Sequence, residues 1–152
     1  IEHTRKRLTI HGFRSEVHVG DAEKLPFDDD SFDIVYSWGV LHHSPNTPEG
    51  VNEVFRVLRP NGTARIMIYH KYSLIGWMLW ARYGLLVGRP FRSLNDVFAN
   101  HLESPGTKAY TKEDARVMFG KFSQVTVRTQ QPRTDVHCIG RQRVEERDPN
   151  AL

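Results

Sequence analysis

Four groups of side chains in this 152-residue chain could do chemistry, and each stands where an apolar run ends. Asp21 and Ala22 follow the alternating Glu16 to Gly20. Ser37 and Trp38 close the run from Phe32, His42 and His43 follow shortly after, and Tyr69, His70 and Tyr72 lie at the end of a third run. A carboxylate such as Asp21 can accept charge-assisted hydrogen bonds, and a buried one needs a donor partner. Alternatively it caps the turn that follows. Trp38 can line a ligand or simply pack under a loop. The imidazole pair could act as a base near neutral pH or serve as structural residues at a strand-to-helix turn. Two histidines without a third ligand do not make a metal site, and no metal is expected. No residue stands out as a catalytic group.

The elements that must position these groups alternate. Ile1 to His11 has helical spacing and stops at Gly12, a residue suited to the position after a helix. Glu16 to Gly20 is expected to be a short strand. Leu25-Pro26-Phe27 and Asp28 to Ser31 form a loop, and Phe32 to Ser37 is a strand whose near-continuous apolar run predicts cover on both faces. Thr47 is placed to cap a helix with Pro48 in its first turn, and Val51, Val54, Phe55 and Leu58 recur at helical spacing. Pro60-Asn61-Gly62 then turns the chain into a strand from Thr63 to Tyr69. Strand, helix, strand at this spacing predicts a parallel βαβ unit. A capping-box pattern opens a helix from Thr111 to about Gly120. Gln124 to Arg128 and Val136 to Gly140, joined through 131–135, are expected to close the sheet as an antiparallel hairpin. Glu145 to Leu152 reads as a loose tail.

Composition narrows the function. The chain is 39% hydrophobic and 26% charged, which suits one globular domain. Its formal charge of +3 is mild, and acids interleave the basic clusters at 5–7 and 141–143, so no nucleic-acid partner is expected. The lone Cys138 excludes an internal disulfide. No apolar run reaches the ~20 residues of a membrane span. A cytoplasmic location is the expectation.

The stretch "GDAEKLPFDDDSFDIVYSWGVLHHSPN", followed by "EVFRVLRPNGTARIMIYHK", resembles the class I S-adenosylmethionine-dependent methyltransferases, in particular the branch with the ubiquinone/menaquinone C-methyltransferases. Four signatures match in order: Gly-Asp-Ala-x-x-Leu-Pro-Phe, Ser-Phe-Asp-x-Val, Val-Leu-His-His and Arg-Val-Leu-x-Pro-x-Gly. The resemblance implies an α/β, Rossmann-like, mostly parallel sheet with a C-terminal antiparallel hairpin, and S-adenosylmethionine as cofactor. It implies that Asp21 accepts from the adenine amino group, that the Ala22 amide meets a ring nitrogen, and that Ser37 and Trp38 line the methionine half. The partner is then a small-molecule methyl acceptor, with His42, Tyr69, His70 and Tyr72 as contacts.

The family's Gly-x-Gly loop and ribose-binding acid have no counterpart, and the chain does not begin with Met. The resemblance therefore implies a partial methyltransferase domain over 1–152, lacking the first two strands and the glycine loop. Exposed sheet edges could then support self-association. A helical insertion spans 71–110. Within it Ser73 to Gly88, "SLIGWMLWARYGLLVG", has three readings: a lid helix on the core, an apolar wall over a lipophilic acceptor, or an interfacial anchor. Methyl transfer to a small acceptor, a lipophilic one among the readings, is the functional expectation for the full-length parent, with the partial domain itself impaired; a non-catalytic α/β partner-binding module or a degenerate methyltransferase-like protein is the alternative.

Overall fold

The computed structural model describes residues 1–130 and 133–141, so the expected tail at 145–152 and part of the hairpin connection lie outside the described residues. Helix α1 (Glu2–Ile10) ends as its sequence predicts. Gly12 adopts φ +71°, and the Gly12 and Phe13 amides return to the Thr9 and Leu8 carbonyls at 3.1 and 2.9 Å, closing the last turn. The expected strand at Glu16 to Gly20 does not form. Val17 and Val19 alternate, but no strand lies beside them to offset the cost of ordering the backbone, and Val19 is 82% exposed.

Strand β1 (Phe32–Trp38), helix α2 (Thr47–Val57) and strand β2 (Leu58–His70) form the expected parallel unit, with Ile34 opposite Thr63 and Trp38 opposite Met67. Two details differ from expectation. Thr47 is the first helical residue rather than the cap, and its buried hydroxyl donates to the Leu41 carbonyl at 2.9 Å. Pro60-Asn61-Gly62 lies inside β2, where it bulges the strand between the Phe32–Leu58 and Ile34–Thr63 pairs. Asn61 takes φ +63° there, a backbone region that asparagine tolerates.

Helix α3 (Leu74–Trp80) is capped by the Ser73 hydroxyl, which accepts from the Gly76 amide at 3.1 Å. It runs on into a wide turn over Ala81–Leu85, and α4 (Leu94–His101) follows. Strand β3 (Ala109–Tyr110) pairs in parallel with Tyr69 and His70 of β2. Helix α5 (Lys112–Met118) carries the predicted capping box, with Thr111 and Asp114 exchanging hydrogen bonds at 3.1 and 2.9 Å. Strands β4 (Gln124–Gln130) and β5 (Arg133–Ile139) form the expected antiparallel hairpin, and β5 also pairs antiparallel with β2. The sheet order is β1-β2-β5-β4, an open mixed sheet. Because β5 occupies one side of Tyr69, β3 takes the side that β1 vacates after Trp38.

The core fills one face of this sheet. Val51 and Val54 of α2 and Ala115 and Phe119 around α5 pack on Leu58, Ala64, Ile66, Ile68, Val136 and Cys138. Each fully buried large side chain here contributes roughly 1.5–3 kcal/mol. The expectation that β1 is covered on both faces is corrected. Val35 and Ser37 turn toward the helices, whereas Ile34, Tyr36 and Trp38 on the opposite face are 70%, 64% and 45% exposed. An apolar run therefore marks β1 without marking two-sided burial. No helix among the described residues is long and apolar enough to cross a membrane.

The bulge gives a direct test. A Cβ on Gly62 would meet the Arg59 carbonyl and Leu58 Cδ1 at 2.9 Å and the Asp33 carbonyl at 3.0 Å, so two backbones would have to move. Gly62→Ala is expected to destabilise the fold by about 1–3 kcal/mol, and Asn61→Gly by less than about 1 kcal/mol, read from denaturation midpoints.

Candidate functional site

The segment from Asp21 to Asp29 has no strand to hold it and is instead gripped by α2. The Arg56 guanidinium donates to the Leu25 carbonyl at 3.1 Å, the Phe27 carbonyl at 2.7 Å and Asp29 Oδ1 at 2.8 Å. It also forms a forked pair with Glu53 at 2.7 and 2.8 Å, and Glu53 accepts from the Leu25 amide at 2.7 Å. The bonds from Arg56 hold the Glu53 carboxyl below its usual range, and Glu53 and Asp29 in turn raise Arg56. Asp21 therefore stands in a turn rather than at a strand end. Its Oδ1 accepts from the Glu23 amide at 2.9 Å, while Oδ2 makes no hydrogen bond to the described residues. The carboxylate is exposed. Ala22 packs against the core, and its carbonyl lies 3.5 Å from where a Gly50 Cβ would be, with Leu41 Cδ2 at 2.9 Å from the same point. The bare glycine on α2 thus lets the Asp21–Ala22 turn and the exit from β1 converge on one helix.

The second half of the site lies at the carboxyl ends of β1 and β2, the edge where open α/β sheets receive ligands. Ser37 is buried and its hydroxyl finds no partner among the described residues. Trp38 is half exposed, stacked on Tyr36 at 5.9 Å, with the Arg133 guanidinium 4.6 Å above its ring. A single tight turn, Leu41–His43, then brings His42 inward. Its ring is fully buried, 4.3 Å from the His43 ring and 4.2 Å from the Tyr69 ring, and neither nitrogen has a hydrogen-bond partner among the described residues. Burial first, then the neighbouring His43, lower its pKa to about 4, against weaker opposition from Glu103 and the Met67 backbone. His42 is neutral at pH 7.

The segment before β3 completes this edge. Tyr69 donates its hydroxyl to Glu103 Oε1 at 2.6 Å, and burial together with that carboxylate pushes the phenol up to about 12. Glu103 Oε2 stands 3.6 Å from His43 Nε2, while His43 Nδ1 lies 3.0 Å from the Ser104 hydroxyl and 3.1 Å from that of Thr107. Lys108 fixes the turn by donating to the Ser44 and Pro45 carbonyls at 2.6 and 2.9 Å. A cavity of about 150 Å³ opens beside this cluster, lined by Tyr69, His70, Ser73, Phe98 and Glu103 among others. His70 lies 3.3 Å from the Thr134 hydroxyl and is lowered by burial. Tyr72, 51% exposed, stacks on Trp77 at 6.3 Å.

The structure thus gathers His42, Tyr69 and His70 at one edge and puts Tyr72 beside His70 at 6.4 Å. It does not place Asp21 in direct contact with them. The link runs through Gly50 and Leu41. Sequence reading missed Glu103, Ser104 and Thr107, which lie in the polar stretch "HLESPGTKAYT" and form no recognisable motif there. It also missed the Arg56 grip, which spans 27 to 31 residues and leaves no local pattern. Among the described residues no group of three metal-ligating side chains occurs.

Residues 1–66 match the family described as methyltransferase domain. A phthiotriol/phenolphthiotriol dimycocerosates methyltransferase of Mycobacterium leprae is 54% identical over 58 residues, covering 38% of this chain and 21% of that protein. A ubiquinone/menaquinone biosynthesis C-methyltransferase of Neisseria meningitidis is 36% identical over 97 residues, covering 59% of this chain and 40% of its own length. The chain thus spans well under half the length of these curated relatives. Among solved structures, a SAM-dependent methyltransferase of Thermotoga maritima superposes with a TM-score of 0.67 at 14% identity, covering 92% of this chain and 70% of that one. The YcgJ protein of Bacillus subtilis gives 0.66 at 18% identity, with coverages of 93% and 78%. At such identities these two structures speak for the fold.

Two measurements check the geometry. Arg56→Gln removes the grip on the Leu25 and Phe27 carbonyls, so limited proteolysis should cut within 21–30 faster, with the rest of the chain protected as before. For His42 the folded pKa lies below the unfolded one, so the unfolded chain binds the extra proton. Stability should therefore fall as pH drops from 6.5 toward about 4, by up to about 1.4 kcal/mol per pH unit, and His42→Gln should lack that part of the slope in denaturant titrations.

Proposed function

We propose that this chain, whose sequence and fold are those of a class I S-adenosylmethionine-dependent methyltransferase, transfers a methyl group to a small lipophilic acceptor. The observation that carries the reading is the convergence on α2 of the Asp21–Ala22 turn and the β1 exit. It brings the Asp21–Ala22 turn and the chain leaving β1 against one helix, which supports reading the two as parts of one site. The lipophilic character is supported by the names of the two curated relatives, a dimycocerosates methyltransferase and a quinone-pathway C-methyltransferase, and by the apolar segment around Trp77.

The residues present fit the cofactor. Asp21 keeps Oδ2 free to accept from an exocyclic amine, and the Ser37 hydroxyl is a buried polar group still in need of a partner. Bound S-adenosylmethionine supplies a methyl group on an already activated sulfonium. The protein's own task is then alignment and exclusion of water. Asp21 and Ala22 would hold the adenine, Ser37 and Trp38 the methionine half, and His42, Tyr69, His70 and Tyr72 the acceptor. Where the acceptor loses a proton, Glu103 is the group placed to take it, as a carboxylate that already receives the Tyr69 hydroxyl.

The test uses the full-length gene product. Titration with S-adenosylhomocysteine should show Asp21→Asn binding about tenfold more weakly, as loss of a charge-assisted bond requires. Unchanged affinity would overturn the adenine assignment. Transfer of radiolabelled methyl to quinol or long-chain hydroxylated acceptors tests the reaction itself, and its absence with every such acceptor sinks the lipophilic reading.

A further inference from the structure

The segment from Lys71 to Leu94 is built inside out. Its small residues face inward: a Cβ on Gly76 would stand 2.7 Å from the Phe98 ring, and one on Gly84 would stand 3.4 Å from the Trp80 ring. Trp80 is held by donating its indole N–H to the Arg92 carbonyl at 2.9 Å, and Tyr83 stacks on His101 at 3.9 Å. The large aliphatic residues point to solvent instead. Met78 is 63% exposed, Leu86 80%, and Phe91, at the tip after Gly88-Arg89-Pro90, 100%. These large aliphatic side chains are thus not gathered against the core.

Charge completes the pattern. From Lys71 to Leu94 the chain contains no Asp or Glu and carries Lys71, Arg82, Arg89 and Arg92. Arg92 is turned to Asp96 and His101. Arg82 and Arg89 are exposed among the apolar side chains, and Arg82 lies over the Tyr83 ring at 5.5 Å. A second copy meeting the same patch would bring arginines against arginines, which repel. We propose that this face, Trp77, Met78, Leu86 and Phe91 with Arg82 and Arg89 around them, docks the protein on an anionic lipid surface, the apolar residues entering the headgroup boundary and the arginines meeting lipid phosphates. The inference goes beyond the methyl-transfer reading and does not rest on it.

Co-sedimentation of the full chain with vesicles tests it without cofactor or acceptor. The chain should pellet with vesicles containing phosphatidylglycerol, more weakly at high salt and much more weakly with pure phosphatidylcholine, and tryptophan emission should shift to the blue on binding. Met78→Glu with Leu86→Glu should reduce partition by about tenfold or more, and Arg82→Gln with Arg89→Gln should reduce it selectively for anionic vesicles. Phe91→Ser, at a fully exposed tip that the fold does not use, guards against loss by misfolding and should weaken binding in the same direction. The proposal is overturned if the chain does not pellet with anionic vesicles, or if binding is insensitive to the Met78, Leu86 and Phe91 substitutions. It is likewise overturned by a dimer in sedimentation velocity that those substitutions dissolve while vesicles stay unbound.

Discussion

One guanidinium carries much of the geometry of the segment around Asp21. Arg56 reaches from α2 to two carbonyls and one carboxylate of a segment that has no ladder of its own, while Glu53 fixes the guanidinium and takes the Leu25 amide. A loop with free backbone groups would drift. Here its orientation is inherited from a helix whose opposite side, through Val51 and Val54, is anchored in the core. The turn at Asp21 is thus as rigid as the packing of α2 allows, and the exposed carboxylate is presented by a scaffold rather than by its neighbours in sequence.

How far the chain could be read from its residues follows the range of the forces involved. Local chemistry was legible: the glycine stop at Gly12, the capping box at Thr111, the helix around Val51 and Val54, and the βαβ alternation all come from contacts a few residues apart. Glu16 to Gly20 failed because alternation states a preference, and a strand also needs a neighbour. The two-sided burial inferred for β1 failed for a related reason: Ile34 and Tyr36 show what the strand could bury without showing what covers it. At the candidate site, the positions at strand ends were readable and the Glu103–Tyr69 bond was not, since its partners stand 34 positions apart in the chain and leave no local pattern.

Two environments share the insertion between β2 and β3. Its end near Ser104 and Thr107 is polar and ties His43 to the strand edge, while its middle turns apolar side chains outward. The buried pair of His42 and Tyr69 lies against the first of these. Burial keeps His42 uncharged at neutral pH, and burial together with the Glu103 bond raises the half-buried Tyr69 phenol further, so this edge of the sheet offers ring faces beside the Glu103 carboxylate that accepts from Tyr69.

Strand β2 takes part in three pairings, with β1, β3 and β5, and Tyr69 belongs to two of them at once. A slip of one residue would exchange the faces of the strand, turning Ile66 and Ile68 outward and carrying Tyr69 away from Glu103. Change in length is therefore barred within the evenly paired stretch from Thr63 to Tyr69, beyond the bulge. It is open in the stretch between His70 and Ala109, whose two ends are pinned to neighbouring strands and whose middle is free to lengthen or shorten. Over evolutionary time such an arrangement lets the outer surface be rewritten by insertion and deletion while the inner chemistry keeps its phase.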